Sequence, residues 1–232
     1  MRWIAGLVGA CVVATCLPAS AALVSYGFQC ISPSVALACV AGQSQFTMDV
    51  TDQQLSGSLL TGQALFVFRN SGPSASSITD LYFDDGTLLS IATVQNSSGV
   101  NFSQGASPGN LPGGNGMAIP FQTTAGFSAD SNPPTQPNGV NPGEFVSVLF
   151  NLVQGQSFSS LIDALNGTIV DGNGAPALRV GLHAQGFSNG NSAAFVNSPT
   201  AVPLPGAAGL MFLGLLALAS RGRKLQRIAP SR

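Results

Sequence analysis

The chain has 232 residues, enough for one ordinary domain, and carries a formal net charge of −1. That near-neutrality hides an asymmetry: five of the eight basic residues (Arg221, Arg223, Lys224, Arg227 and Arg232) lie in the last twelve positions, while the stretch from Ala22 to Pro205 holds only Arg69 and Arg179 against nine carboxylates, a balance of −7. An acidic body without lysine excludes binding to DNA or RNA, whose affinity rests on cationic side chains neutralising phosphates, and it equally disfavours anionic lipid.

In chain order, the N-terminus opens Met1-Arg2-Trp3 and runs apolar from Ile4 to Leu17, followed by Pro18-Ala19-Ser20-Ala21. About fourteen apolar residues are too few to span a bilayer, and Ala19 and Ala21 supply the small side chains a signal peptidase inspects. Residues 1–21 are therefore expected to be a secretory signal cut between Ala21 and Ala22. A lipoprotein reading of Cys16 fails on Thr15 before it and Leu17-Pro18 after it. Cys11 and Cys16 leave with the signal, so Cys30 and Cys39 remain in an oxidising compartment and are expected to form a disulfide; two buried free thiols are the alternative.

The body, residues 22–200, alternates apolar and polar residues in short runs broken by Gly, Ser, Asn and Pro, the pattern of β-structure. Strands are expected at Gln45 to Val50, Gly62 to Asn70, Ile78 to Phe83, Leu88 to Gln95, Phe145 to Val153, Ala177 to Phe187 and Ala193 to Val196. Seven short strands predict a single mainly β domain, an antiparallel β-sandwich-like fold. One short helix is expected from Phe158 to Leu165, capped by Ser157 and ended by Asn166-Gly167. The stretch from Ser97 to Pro142 reads as loop-rich, either a functional insertion or irregular edge strands wrapped over the core. Along Arg179 to Gln185, Val180, Leu182 and Ala184 face one way and Arg179, His183 and Gln185 the other, which places His183 on a solvated face.

Chemistry-bearing motifs are sparse. Gly186-Phe187-Ser188-Asn189-Gly190 fits G-x-S-x-G, but the sole histidine, His183, precedes the serine and no carboxylate follows Asp171, so a glycine-rich hairpin turn is the better reading. One histidine builds no zinc site, and the lone Lys224 rules out a phosphate loop. Asp80, Asp84 and Asp85 form the densest acidic cluster and are a calcium candidate outside the cell, against the simpler reading of Asp84-Asp85-Gly86 as a tight turn. No other metal or cofactor site is expected, and no catalytic residue emerges.

Residues 201–232 combine three parts: Val202-Pro203-Leu204-Pro205, an apolar run from Gly206 to Ala219, and Ser220-Arg221-Gly222-Arg223-Lys224. As a helix the apolar run would be about 21 Å long, short of a hydrocarbon core of about 30 Å, and the basic stop would hold its end on the cytoplasmic side. This arrangement resembles the PEP-CTERM family of sorting signals in its VPLP variant, with Gly206 where VPLPA carries alanine. Ile78 to Gly86 and Leu178 to Phe187 also resemble stretches of exported PEP-CTERM proteins. The resemblance implies an exosortase-type membrane protease as partner, transient membrane insertion through the C-terminal apolar helix, and a structural or adhesive role at the cell surface or in an exopolysaccharide matrix. A carbohydrate-binding module is the alternative, with exposed aromatics as its mark; a matrix hydrolase, marked by carboxylates opposed across a cleft, is the third. A permanent C-terminal anchor remains the rival reading of the tail.

Overall fold

The structure, a computed structural model, describes residues 22–85 and 89–198. The expected signal segment with Ala19 and Ala21, the expected sorting motif from Val202 to Pro205, the expected basic stop at Arg221, Arg223 and Lys224, and the expected turn at Asp84-Asp85-Gly86 beyond Asp85 lie outside the described residues. No described helix is long and apolar enough to cross a membrane.

The body is mainly β. Its strands are β1 (Leu23–Cys30), β2 (Phe46–Thr51), β3 (Gln63–Asn70), β4 (Ser77–Asp84), β5 (Leu89–Asn96), β6 (Phe102–Gln104), β7 (Ser128–Ser131), β8 (Phe145–Leu152), β9 (Arg179–Gln185) and β10 (Ala193–Asn197). All the pairings between them are antiparallel, in the order β5-β8-β3-β2-β1-β10-β9-β4-β7-β6. A sandwich-like core results, but from one curled sheet, with β1 shared between the two halves. The two sheet edges approach each other where Asn96, ending β5, accepts the Phe102 N–H at 2.8 Å and donates to the Phe102 carbonyl at 3.0 Å. A half-buried antiparallel strand has to turn one face inward, and the curl gives those faces a common interior.

Inside the curl, Phe66, Phe83 and Phe150 meet edge to face, with ring centroids 4.7 to 5.5 Å apart. Tilted rings at this spacing place the positive edge of one on the negative face of the next. Tyr26, Met48, Phe68 and Leu182 extend the same core.

The expected helix is present as Phe158–Leu165, with a Ser157–Ser160 capping box, and it buries Leu161, Ala164 and Leu165 in the core. It is not the only helix. Ala36–Gln45 forms α1, Thr135–Asn138 the short α2, and Phe158–Leu165 is therefore α3; a 3-10 turn spans Gly114–Gly116. Helix α1 has no side-chain cap and carries apolar residues on exposed as well as buried positions, with Leu37 and Val40 outward and Ala38 and Cys39 inward. Such a segment gives no amphipathic stripe to read. It is tied to the end of β1 by the Cys30–Cys39 disulfide, across a Cα separation of 5.3 Å. Closing so short a loop is worth about 2.6 kcal/mol on the chain-entropy estimate.

The loop-rich stretch forms irregular edge strands and a segment wrapped over the core. Strands β6 and β7 form the sheet edge, and residues between them cross back over the outer face of β4, β9 and β10, where Leu111 and Phe121 join Tyr82, Ala194 and Val196 in a second, smaller core.

Candidate functional site

The outer face beneath that covering segment carries a row of titratable groups that no single strand reveals. On β4 a register shift between Ile78 and Asp80 leaves Thr79 as the extra residue. A bulge of this kind re-aims the side chains that follow it. Ile78, Leu81 and Phe83 then fill the main core, while Tyr82 belongs to the outer one. Asp80 stands in register with His183 on β9 and with Asp130 on β7. The row is thus imidazole, carboxyl, carboxyl across three adjacent strands.

Asp80 is 3 % exposed and the His183 side chain 14 %, with His183 Nδ1 lying 2.9 Å from Asp80 Oδ2. With Asp80 ionised, that contact requires Nδ1 to carry the hydrogen, which leaves Nε2 as the acceptor in the neutral ring. Thr79 Oγ1 donates to the same Asp80 oxygen at 2.7 Å. Asp130 is half-buried. Burial, the charge of Asp80 and a hydrogen bond with Asp80 push its carboxyl up to about 6, against a smaller opposing pull from the backbone N–H groups of Ser107 and Ser131. Tyr82, whose hydroxyl donates to the Pro108 carbonyl at 3.1 Å, is pushed above its ordinary range by burial and by the charges of Asp80 and Asp130. The row therefore favours a protonated Asp130 carboxyl beside Asp80, hydrogen-bonded to it.

The expectation of a solvated His183 is therefore corrected. The strand alternation gives its direction rightly, opposite to Val180, Leu182 and Ala184, but a covered sheet face replaces the solvated one. Asp130 was missed altogether, since Ser128–Ser131 is a four-residue strand within a stretch rich in turn residues. The apolar positions Phe127 and Ala129 flanking polar ones are the only period-2 signal it offers.

The three acids of the calcium candidate are not brought to one point. Asp80 is taken by His183 and Thr79. Asp84 pairs with Arg179 and accepts the Gln122 N–H at 3.1 Å. Asp85 accepts the Leu89 N–H at 3.1 Å, while its own N–H donates to Thr124 Oγ1; burial pushes its carboxyl up. Asp80 and Asp84 share a face of β4 but stand four residues, about 13 Å, apart along it, and Asp85 follows the end of the strand. Among the described residues no group of three or more His, Cys, Asp or Glu side chains is arranged to hold a metal ion.

Arg179 fastens the covering segment. It is 7 % exposed, pairs with Asp84, and donates through Nη1 to the Ile119 carbonyl at 2.9 Å and through Nη2 to the Pro120 carbonyl at 2.6 Å. Its guanidinium lies over the Phe121 ring, 5.3 Å from the centroid. Two cavities of about 370 and 330 Å³ flank this segment, the first polar with Asp84, Gln122, Asp171 and Asn173, the second mainly apolar with Ile31, Met117, Pro176 and Val196; Arg179 lines both.

Gly186 to Gly190 lies in the connection between antiparallel β9 and β10, with Gly186 and Gly190 at positive φ and Gly190 N–H donating to the Phe187 carbonyl. Ser188 is exposed there, on a hairpin turn and not on a strand-to-helix elbow. No protein-family model matches the chain, and no curated protein or solved structure matches it.

Proposed function

We propose that the chain is an exported cell-surface or extracellular-matrix protein, sorted by an exosortase-type protease and acting structurally or by adhesion within exopolysaccharide. The observation that carries this reading is the tripartite tail: Val202-Pro203-Leu204-Pro205, the apolar run to Ala219, and the basic stop at Arg221, Arg223 and Lys224. The motif begins five positions after the last strand, so cleavage there would release the body whole. The Cys30–Cys39 disulfide supports an oxidising destination.

Two features favour a structural role over a sugar-binding module or a hydrolase. Tyr26 and Tyr82 are fully buried, and none of the exposed large apolar side chains among the described residues is aromatic. A stacking platform for sugar rings would need such aromatics. Asp80 and Asp130 are side-by-side neighbours within one sheet, not acids opposed across a cleft.

Intact mass of the protein recovered from the cell surface and medium tests the reading, with and without the sorting protease. A body from Ala22 to the vicinity of Pro205, seen only when the protease is present, is the expected result. A tail intact through Arg232 in both strains would make the segment a plain anchor and overturn the sorting reading.

A further inference from the structure

Asp52 follows the end of β2, at the sheet end where β1 begins. Its backbone N–H donates to the Ala22 carbonyl at 3.4 Å, and its Oδ1 accepts the Ala22 N–H at 3.0 Å, so the two residues hold each other reciprocally. The Leu60 N–H donates to the Asp52 carbonyl at 2.7 Å and steadies the turn that presents the carboxylate. Leu23 then pairs with Thr51 and the β1–β2 ladder starts.

The cations of the body are few and already engaged. From Ala22 to Pro205 only Arg69 and Arg179 are permanently charged. Arg69 Nε binds Asp49 at 2.9 Å, Arg179 binds Asp84, and His183 binds Asp80. Asp49, the carboxylate within β2, is taken by Arg69 and the Ser25 hydroxyl. Asp52 has no basic side chain against it among the described residues, only a backbone nitrogen.

We propose that cleavage of the Ala21–Ala22 bond supplies the missing cation: the α-ammonium of Ala22 forms an ion pair with Asp52 that fixes the first residue of the mature chain to the head of β1. The hydrolysis breaks the carbonyl carbon to nitrogen bond, water gives its hydroxyl to Ala21 and a hydrogen to the Ala22 nitrogen, and that amine takes a further proton from solvent. A neutral amide donor thereby becomes a charged one without moving. Charge-assisted hydrogen bonds are about twice as strong as neutral ones. The geometry also selects the bond. A terminus two residues earlier would set the ammonium about 7 Å further along an extended chain, out of contact with Asp52. The inference rests on the export reading, through cleavage after Ala21.

The test uses the exported protein. The body has no lysine, Lys224 being the only one in the chain, so amine labelling followed by peptide mass mapping reads the Ala22 amine alone. An ordinary α-amine titrates near about 7.7–8.0, and a carboxylate in contact raises that value. At pH 7 the expected acylation rate of Ala22 is about three- to tenfold higher in Asp52→Asn, which keeps an oxygen acceptor but loses the charge. A variant with Gly-Ser inserted before Ala22 keeps Asp52, separates it from the ammonium, and is expected to show the same rise. Equal rates in wild type and both variants, all with the expected termini, would overturn the ion pair and leave the export reading standing. An exported wild-type protein whose mass begins at a residue other than Ala22 would overturn both.

Discussion

Replacing Asp130 with Asn isolates the proton held in the outer-face row. The amide keeps the shape and an acceptor oxygen of the carboxyl while remaining neutral at every pH, so it stands for the protonated state. Asp130 in the folded protein titrates at about 6, above the 3.8 expected of the unfolded chain, because Asp80 and burial oppose its ionisation. The folded state thus binds this proton more tightly. The stabilisation it provides is complete below about pH 3.8 and is lost as pH rises through about 6. Fully expressed, such a difference corresponds to about 3 kcal/mol. Asp130 stands at the margin of solvent, and screening reduces the expected effect to about 1 kcal/mol. Urea unfolding at pH 4 and pH 7.5 measures it: wild type and Asp130→Asn should be nearly equal in the acid, and the variant should be more stable by about 1 kcal/mol at pH 7.5. Asp80, His183 and Tyr82 are present in both proteins, which is why the difference is the quantity to read. A gap that stays constant between the two pH values would refute the shared-proton argument.

Two further perturbations probe the supports of the site. Gly42→Ala should destabilise by about 1 to 2 kcal/mol in urea unfolding, although alanine is the better helix former, because its Cβ would stand 2.2 Å from Phe195 Cζ and 2.8 Å from Phe46 Cε2 in a fully buried ring pair; an unchanged or raised midpoint would contradict this. Arg179→Met should cost about 3 kcal/mol by stranding Asp84 and releasing the Ile119 and Pro120 carbonyls. Limited proteolysis should then cut first between residues 105 and 124, and a digestion pattern identical to wild type would argue against Arg179 as the fastening.

The parts of the fold legible in the sequence are those where local pattern and tertiary role agree. Phe145–Leu152 and Arg179–Gln185 are central strands with strong apolar runs, and Phe158–Leu165 has both a cap and an apolar stripe. Strand β1 directly follows the apolar N-terminal run, and its own short pattern does not stand out from it. Helix α1 lacks both cap and stripe, and is held by its disulfide and by packing of Ala38 on the core. The edge strands β6 and β7, of three and four residues, are too short for periodicity to register. For the site, alternation gave the direction of His183 but not what lies over it. The covering segment turns back onto β9 through non-local contacts, such as Gly181 seated under Leu111 and Phe121. Nor does the spacing of Asp80, Asp130 and His183 along the chain announce a common row; only the strand order does.

The place of β1 in that order has a consequence for when the protein can finish folding. A chain delivered from its N-terminus presents β1 first, yet one of its two neighbours is β10, the last strand. The early half of the sheet can begin from β1, β2 and β3, whose pairings span short connections. The curl closes only when residues 193–197 arrive, across a separation near the length of the body, and long closures of this kind slow folding more than they weaken the final state. Until then the outer side of β1 is an open edge, and completion of the core is timed by the arrival of the last strand, five residues before Val202-Pro203-Leu204-Pro205.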